Sequence, residues 1–303
     1  MSNKEIQDSE STALCICKKD CPIYFTIRGF KIYRCQNCSL IFVNPREDIV
    51  QIYNQDYFYG ATHGYGFVNY EEDKIASKGY LIRYLRWFKK LGFTKGSKLL
   101  DVGAANGFFV SLAESFGYEA VGVELSKEAV HWAQQLNRAV IESNALEILL
   151  EDKYDIITVL DVLEHLPNPE DFLVKIKKNL NDSGILVLNV PNAGSFFAKL
   201  CGRSWHSYIP PEHLFYFNKK SLTHALTSSG YKILKTRSIS KTFKAEYIFK
   251  TVLNSPQIPT FLRKMISLLD PIFKSRLGSI KIYLPLFDNL TVIAKKLNQI
   301  ECL

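Results

Sequence analysis

One stretch of the sequence, residues 99–116, strongly limits the folds that this chain can adopt. An apolar run is followed by two glycines and then by apolar residues at helical spacing. Residues 99–102 have the composition of a short buried strand, and residues 108–116 have the apolar spacing of a helix. Between them, Gly103 and Gly107 allow a ligand to approach the backbone and to meet the amino end of the helix. The stretch therefore predicts a strand, a ligand-binding turn and a helix.

Strand and helix patterns alternate beyond this turn, which predicts a parallel sheet covered by helices on both faces. The chain has 303 residues, of which 47% are hydrophobic, so it can bury a large core. We therefore predict an α/β fold with a doubly wound, Rossmann-like and mainly parallel sheet of seven strands. The strands are expected at residues 99–102, 120–124, 139–142, 154–163, 185–190, 231–239 and 290–295.

Several helices are predicted from their end signals or from an apolar stripe. Ser126 is a suitable N-cap for a helix that runs to about Asn137, and Pro169 suits the first position of another. Residues 74–91 are expected to form a helix that buries one apolar stripe: Ile75, Tyr80, Leu81, Tyr84, Leu85 and Phe88.

Five of the seven cysteines lie within the first forty residues. The polar start of the chain lacks the regions of a signal peptide, so the expected location is the cytoplasm, where clustered cysteines favour a metal over disulfides. Two apolar stretches joined at Gly29 complete the layout of a zinc ribbon at residues 14–46. The predicted Zn²⁺ ligands are Cys15, Cys17, Cys35 and Cys38, with Cys21 as the alternative to Cys15; the competing interpretation is a ribbon that has lost its metal.

The domain organisation follows from these segments. Residues 1–13 are expected to be a disordered tail, 14–46 the ribbon, 47–96 an aromatic loop and helical linker or lid, and 97–303 the α/β domain. An insertion at about 241–289 contains an expected amphipathic helix at 259–275 with basic residues on one face. Packing of this insertion on its own domain is the favoured interpretation, and peripheral contact with an anionic membrane is the other. The net charge of +8 is compatible with acidic partners.

Polar side chains stand where the predicted parallel strands end, which is where ligands bind in open α/β sheets. Asp101 precedes the glycine turn, and Glu124 follows it by about twenty residues, a position suited to a ribose diol. The turn has Gly103 and Gly107 but lacks the second and third glycines of G-x-G-x-x-G, which disfavours a dinucleotide-dependent oxidoreductase.

Together with the segment Asp161-Val-Leu-Glu-His-Leu166, this spacing resembles class I S-adenosylmethionine-dependent methyltransferases over residues 97–240. The resemblance implies that Asp101 and the glycine turn hold the methionine part of the cofactor and that Glu124 binds the ribose. It also implies that Asn144, where the family commonly has Asp, lies beside the adenine and that Asp161 begins the segment beside the sulfonium. The implied cofactor-binding set is Asp101, Gly103, Ala104, Gly107, Glu124, Leu125, Asn144, Ala145 and Asp161.

Two further segments resemble methyltransferases of bacterial sugar and glycan pathways. Residues 30–46 look like their zinc-binding leader, and residues 202–217 look like the segment that carries a Glu-His pair at the substrate. On this basis His213 is the candidate general base, Glu212 orients it, and Tyr216 contacts the acceptor. A purely structural role for Glu212 and His213 is the alternative.

The resulting hypothesis is methyl transfer to a small-molecule, sugar or lipid-linked glycan acceptor, with S-adenosylmethionine as cofactor and a structural Zn²⁺. Two alternatives remain: a nucleotide-dependent oxidoreductase, and a zinc-ribbon nucleic-acid-binding protein on an inactive methyltransferase scaffold. The ribbon lacks a dense basic and aromatic surface, so no nucleic acid is expected as partner.

Overall fold

The computed structural model describes residues 12–44, 70–145, 152–238, 242–244, 249, 260–273, 280–283 and 288–297. These residues form a seven-stranded sheet, a five-stranded sheet and a two-stranded antiparallel sheet. The aromatic loop expected within 47–69 lies outside the described residues, as does most of the expected disordered tail. The last two residues of that tail, Thr12 and Ala13, instead belong to a strand.

The seven-stranded sheet confirms the predicted fold class. Its strand order is β11-β14-β9-β8-β5-β6-β7. The neighbouring strands from β9 to β7 are parallel, whereas β14 pairs antiparallel with both β9 and β11. The order reverses between β5 and β8, which places the ligand-binding crevice at the carboxyl ends of these strands. The strands are β5 (Lys98–Val102), β6 (Glu119–Glu124), β7 (Val140–Glu142), β8 (Tyr154–Leu160), β9 (Leu180–Pro191), β11 (Tyr231–Arg237) and β14 (Asn289–Lys296).

Helices cover this sheet, and their ends follow the predicted signals. Ser126 accepts a hydrogen bond from the backbone of Ala129, and Pro169 begins its helix. The helices are α1 (Tyr70–Lys90), α2 (Phe108–Ser115), α3 (Lys127–Gln135), α4 (Pro169–Ile176), α5 (Phe196–Cys201), α6 (Lys219–Ser228), α7 (Thr260–Ser267) and α8 (Asp270–Phe273).

Some boundaries differ from the prediction for local reasons. Strand β8 ends at Leu160 rather than at residue 163, because Asp161 has a left-handed backbone (φ 57°) and residues 163–165 form a single 3₁₀ turn. Residues 181–184, where a turn was expected, lie within strand β9. They interrupt its pairing with β8, in which Tyr154 pairs with Leu180 and Ile156 pairs with Ile185. Ile75 and Phe116, expected on buried stripes, are 54% and 41% exposed, and Phe116 lies just beyond the last residue of its helix.

The ribbon forms the five-stranded sheet β1-β2-β3-β4-β10. Its first four strands are β1 (Thr12–Leu14), β2 (Asp20–Ile27), β3 (Phe30–Arg34) and β4 (Ile41–Val43), whereas β10 (Phe215–Tyr216) comes from the α/β domain. The ribbon is therefore joined by backbone hydrogen bonds to the segment that carries the predicted Glu-His pair.

The insertion differs from its prediction. Helices α7 and α8 replace the single helix expected at 259–275, and β12 (Thr242–Lys244) pairs with β13 (Lys281–Tyr283). Met265 is 62% exposed and Leu268 is 78% exposed, so the expectation that this apolar face packs on its own domain is wrong for these side chains. Within the described part of the chain, no helix has both the length and the apolar character that crossing a membrane requires.

Candidate active site

The glycine turn between β5 and α2 has the shape that the sequence predicts. Gly103 and Gly107 both have φ 72°, a conformation that side chains disfavour. A Cβ on Gly103 would collide with the side chain of Val162, and one on Gly107 would lie 2.7 Å from Cγ2 of Val140. Ala104 is buried within the same turn. Only glycine fits at these two positions, so the turn keeps its backbone open toward the strand ends.

Asp101 lies buried at the end of β5, 4% exposed. Thr158 on the neighbouring strand donates to its Oδ1 from 2.6 Å. Burial raises the pKa of Asp101 to about 7, while Thr158 and the positive charge of Lys74 act in the opposite direction. This carboxyl group is therefore set to exchange a proton near neutral pH.

Glu124 closes the other side of the turn from the end of β6. Its Oε2 accepts from the backbone N–H of Ala105 at 2.8 Å, and its Oε1 accepts from Leu125 at 2.9 Å and Ser126 at 3.0 Å. Burial raises the pKa of Glu124, and the three backbone donors oppose that rise. The carboxylate thus holds both the turn and the start of α3, and Oε2, which accepts a single backbone N–H, keeps lone-pair capacity for a ribose hydroxyl.

The remaining predicted cofactor residues lie at neighbouring strand ends. Asn144 and Ala145 follow β7 and are half-buried. Asp161 follows β8, and its Oδ1 accepts from the side-chain amide of Asn189 at 2.6 Å. A chain of buried hydrogen bonds continues through Thr291 to Tyr84. Such a network fixes the Asp161 carboxylate, and sequence reasoning missed it because its members come from four segments that are distant in the chain.

The predicted acceptor residues lie close to Asp161. His213 is buried, its ring lies 4.7 Å from that of His165 in an edge-on arrangement, and the ring of Tyr216 lies 6.4 Å away. Asp161 acts on the pKa of both histidines in the direction of raising it. The end of β8 is therefore shared between the cofactor residues and a buried histidine pair.

The two histidines of this pair each donate a hydrogen bond from the ring to a backbone carbonyl oxygen. Nδ1 of His213 donates to the backbone carbonyl of Ser207 at 3.0 Å, and Nδ1 of His165 donates to the backbone carbonyl of Glu212 at 2.8 Å. Glu212 thus contacts the pair through its backbone carbonyl oxygen, which accepts from His165. Both rings keep Nε2 as the nitrogen with a lone pair.

Burial keeps both imidazoles neutral. It lowers the pKa of His165 to about 4 and, together with His165, lowers the pKa of His213 well below its ordinary value. Glu164 is buried beside them, with Oε1 4.0 Å from Nε2 of His165. Neither Glu164 nor His165 was among the predicted site residues; their position within the segment that begins at Asp161 was the signal that could have identified them.

Comparison with known proteins identifies the family. A family model described as a methyltransferase domain matches residues 78–236, which is about half of the chain. The chain belongs to this methyltransferase family. The match spans the glycine turn, all the predicted cofactor residues and the 3₁₀ turn that carries His165, as well as His213.

Curated relatives of this methyltransferase include two ubiquinone biosynthesis O-methyltransferases. The protein from Glaesserella parasuis is 31% identical over 113 residues, covering 32% of this chain and 46% of the relative. The protein from Burkholderia thailandensis is 19% identical over 170 residues, covering 52% of this chain and 73% of the relative. The chain thus spans about half the length of the first relative.

A solved structure supports the fold. A candidate methyltransferase from Bacillus halodurans has a TM-score of 0.51 at 16% identity, covering 71% of this chain and 98% of that one. At this identity the likeness shows a shared methyltransferase fold and says nothing about the acceptor.

The cysteines of the ribbon converge as predicted. The sulfur atoms of Cys15, Cys17, Cys35 and Cys38 all lie within 4.8 Å of one another. Cys15 and Cys38 are 3.5 Å apart, and Cys17 and Cys35 are 3.4 Å apart, close to the roughly 3.8 Å between thiolates on a tetrahedral Zn²⁺. Cys21, the alternative ligand, instead directs its sulfur at the carbonyl oxygen of Lys19, 3.3 Å away. The donor set therefore fits Zn²⁺.

The affinity of the methyltransferase for S-adenosylhomocysteine should rise with pH until about 7, the pKa of Asp101, and level off above it. Below that pKa the carboxyl group is protonated, so binding the cofactor's ammonium group requires loss of a proton, and affinity falls by up to about tenfold per pH unit. Calorimetric titrations across this range measure the effect. Asp101→Asn should bind more weakly and with a flatter profile; a wild-type affinity that is constant across the range would contradict the assignment.

Proposed function

We propose that this protein transfers a methyl group from S-adenosylmethionine to a small-molecule acceptor, at a hydroxyl group or an acidic carbon. The observation that carries the proposal is the position of Asp161 between the predicted cofactor residues and the buried pair of His165 and His213. A methyl donor seated at the strand ends would direct its reactive group toward the histidines. Family membership and the O-methyltransferase relatives support the same reaction class.

The residues present fit the cofactor. Glu124 offers a carboxylate for a ribose diol, the open turn leaves room for the methionine part, and buried Asp101 offers an acceptor for its ammonium group. When bound, S-adenosylmethionine supplies an electrophilic methyl group on a sulfonium. We propose that the protein contributes mainly by positioning donor and acceptor for in-line displacement.

We propose that His213 receives the proton that the acceptor releases. Its Nδ1 is occupied by the Ser207 carbonyl, so Nε2 is the accepting nitrogen. The new bond joins the acceptor oxygen or carbon to the methyl carbon, the carbon–sulfur bond breaks, and the sulfur keeps the electron pair. Tyr216, on β10, would contact the acceptor, and Glu212 would hold the pair through its backbone carbonyl on His165.

A sugar or a lipid-linked glycan is the acceptor class that we propose. Exposed apolar side chains support a lipid-associated acceptor: Phe196 is 80% exposed and Leu200 is 72% exposed, with the basic Lys199 between them on α5. The exposed Met265 and Leu268 on the insertion add a second apolar surface. Such surfaces, next to basic residues, suit peripheral contact with an anionic membrane.

The test combines ligand binding with a product screen. Wild-type protein is titrated with S-adenosylhomocysteine, NAD and single-stranded RNA, and then incubated with S-adenosylmethionine and candidate acceptors, including lipid-linked sugars in anionic vesicles. Binding of S-adenosylhomocysteine but not of NAD or RNA, together with a product heavier by one methyl group, would support the proposal. Binding of NAD or RNA without S-adenosylhomocysteine would favour the oxidoreductase or the nucleic-acid-binding alternative.

His213→Ala is expected to reduce kcat on the identified acceptor by about 10²-fold or more, because the proton loses its accepting nitrogen. The affinity for S-adenosylhomocysteine should change little. His206→Ala is the matched control, since His206 belongs to the same segment but is about half exposed and pairs with Asp288. Near-normal turnover of His213→Ala would leave His213 with a structural role only.

A further inference from the structure

The start of α1 lies over the cofactor turn, although no residue of this helix belongs to the predicted cofactor set. Tyr70 is buried, packs against Ala105 of the turn and Ala129 of α3, and meets the ring of Trp132 edge-on at 6.4 Å. Burial raises the pKa of its phenol. The negative charges of the strand-end carboxylates contribute to that rise: Asp101, Glu124 and Asp161. The phenol therefore lies among the groups that would surround the cofactor.

The next residue of α1 makes an ion pair across the same turn. The two guanidinium nitrogens of Arg138 donate to the two carboxylate oxygens of Glu71, at 3.0 and 2.7 Å. The side-chain amide of Asn106 donates to Glu71 at 2.5 Å, and Arg138 also donates to the carbonyl oxygen of Asn106 at 3.0 Å. Asn106 stands inside the glycine turn, so one carboxylate and one guanidinium join α1, the turn and the start of β7.

This cluster has the properties of a strong, fixed contact. The side chains of Arg138 and Glu71 are only 11% and 25% exposed, so solvent screens them weakly. The hydrogen bond from Arg138 lowers the pKa of Glu71, which keeps its carboxylate ionised. The guanidinium also lies over the ring of Phe108, 5.6 Å from its centre. Bidentate geometry of this kind specifies orientation as well as attraction.

We propose that Glu71, Arg138 and Asn106 form a clamp that fastens the start of α1 over the bound cofactor. Tyr70, the residue before Glu71, packs against Ala105 of the turn, so a cofactor seated at the turn would lie beneath the helix start that the clamp fixes. Glu71 and Arg138 are positioning residues, which act through Asn106 and through the placement of Tyr70. The proposal rests on the cofactor seat given under the proposed function.

Breaking the clamp is expected to speed cofactor release more than it affects chemistry. Glu71→Gln should raise the dissociation rate of S-adenosylhomocysteine about tenfold and weaken its affinity to a similar degree, because differences between related complexes lie mostly in dissociation. The value of kcat at saturating S-adenosylmethionine should stay within about threefold. A competition chase measures release, and quenching of tryptophan fluorescence by acrylamide reports access to Trp132, whose ring contacts Tyr70.

Three variants separate the clamp from a general effect on folding. Arg138→Met should reproduce the effect, and the swapped pair Glu71→Arg with Arg138→Glu should recover part of the slow release. Arg86→Gln, on the exposed part of α1, is the control that should leave release unchanged. A lower Tm in Glu71→Gln and Arg138→Met with wild-type release rates would overturn the clamp, while the cofactor seat would stand. Failure of the wild-type protein to bind S-adenosylhomocysteine would overturn both.

Discussion

Replacing Glu124 by alanine should weaken the binding of S-adenosylhomocysteine by at least about 100-fold. The carboxylate is predicted to accept from the ribose diol, and a hydrogen bond to a charged group contributes roughly 1.5–3 kcal/mol. The substitution also removes the acceptor for the backbone N–H groups of Ala105, Leu125 and Ser126. The turn and the start of α3 therefore lose their common anchor at the same time as the ribose loses its partner.

Calorimetry with S-adenosylhomocysteine measures this loss, and a thermal unfolding curve checks that the variant is folded. Glu119→Ala is the matched control, because Glu119 is an exposed glutamate at the opposite end of the same strand, β6. The affinity of Glu124→Gln should lie between those of Glu124→Ala and Glu119→Ala, since the amide oxygen can still accept from the backbone of the turn. An affinity of Glu124→Ala within about threefold of wild type would remove Glu124 from the cofactor site.

The double substitution Cys35→Ser and Cys38→Ser should remove a bound equivalent of Zn²⁺ and reduce turnover on the acceptor by about 10²-fold. A small ribbon depends on its metal for folding energy, since structural Zn²⁺ contributes roughly 10 kcal/mol or more. Strand β4 of the ribbon pairs with β10, and Val43 donates from its backbone to Leu214 at 2.9 Å, directly after His213. Displacement of this segment by about 1 Å is sufficient for such a loss.

The loss of Zn²⁺ should have little effect on the predicted cofactor residues Asp101 and Glu124, because the ribbon pairs with β10 and not with β5 or β6. Elemental analysis of untagged protein gives the zinc content, and hydrogen exchange should show faster exchange at 207–218 with unchanged exchange at 98–124. Cys201→Ser is the control, being a partly buried cysteine on α5 outside the cluster. Less than about a tenth of an equivalent of zinc in the wild-type protein would end the zinc interpretation.

The positions of the predicted cofactor residues at the ends of strands could be predicted from the sequence. Glu124 and Asp101 end neighbouring buried strands, and both positions follow from apolar runs that a local window detects. The glycine turn could be predicted for the same reason, since a left-handed φ at Gly103 and Gly107 is a local property. The strand end at Asp161 was misplaced by three residues, because an aspartate in the left-handed region interrupts an apolar run without any glycine or proline to mark it.

The arrangement around the predicted acceptor residues Glu212, His213 and Tyr216 was predicted less completely. Residues 212, 213 and 216 were identified as candidates. However, His213 donates to the backbone carbonyl of Ser207, and a backbone acceptor cannot be predicted from residue type because every residue has one. The pairing of His165 with His213 joins two segments that are far apart in the chain. Their mutual contact depends on how the loop before β10 folds back over the end of β8.

The sequence alone thus determines the strands, the glycine turn and the cysteine pairs of the ribbon. Hydrophobic periodicity, backbone conformation and ligand spacing each depend on a few neighbouring positions. Long-range packing decides the rest. The ion pair between Glu71 and Arg138 spans 67 positions, and the hydrogen bond from Asn218 to the carbonyl of Ser39, which ties the ribbon to the α/β domain, spans 179. Contacts over such separations form only when distant elements pack together, so no local pattern in the sequence reveals them.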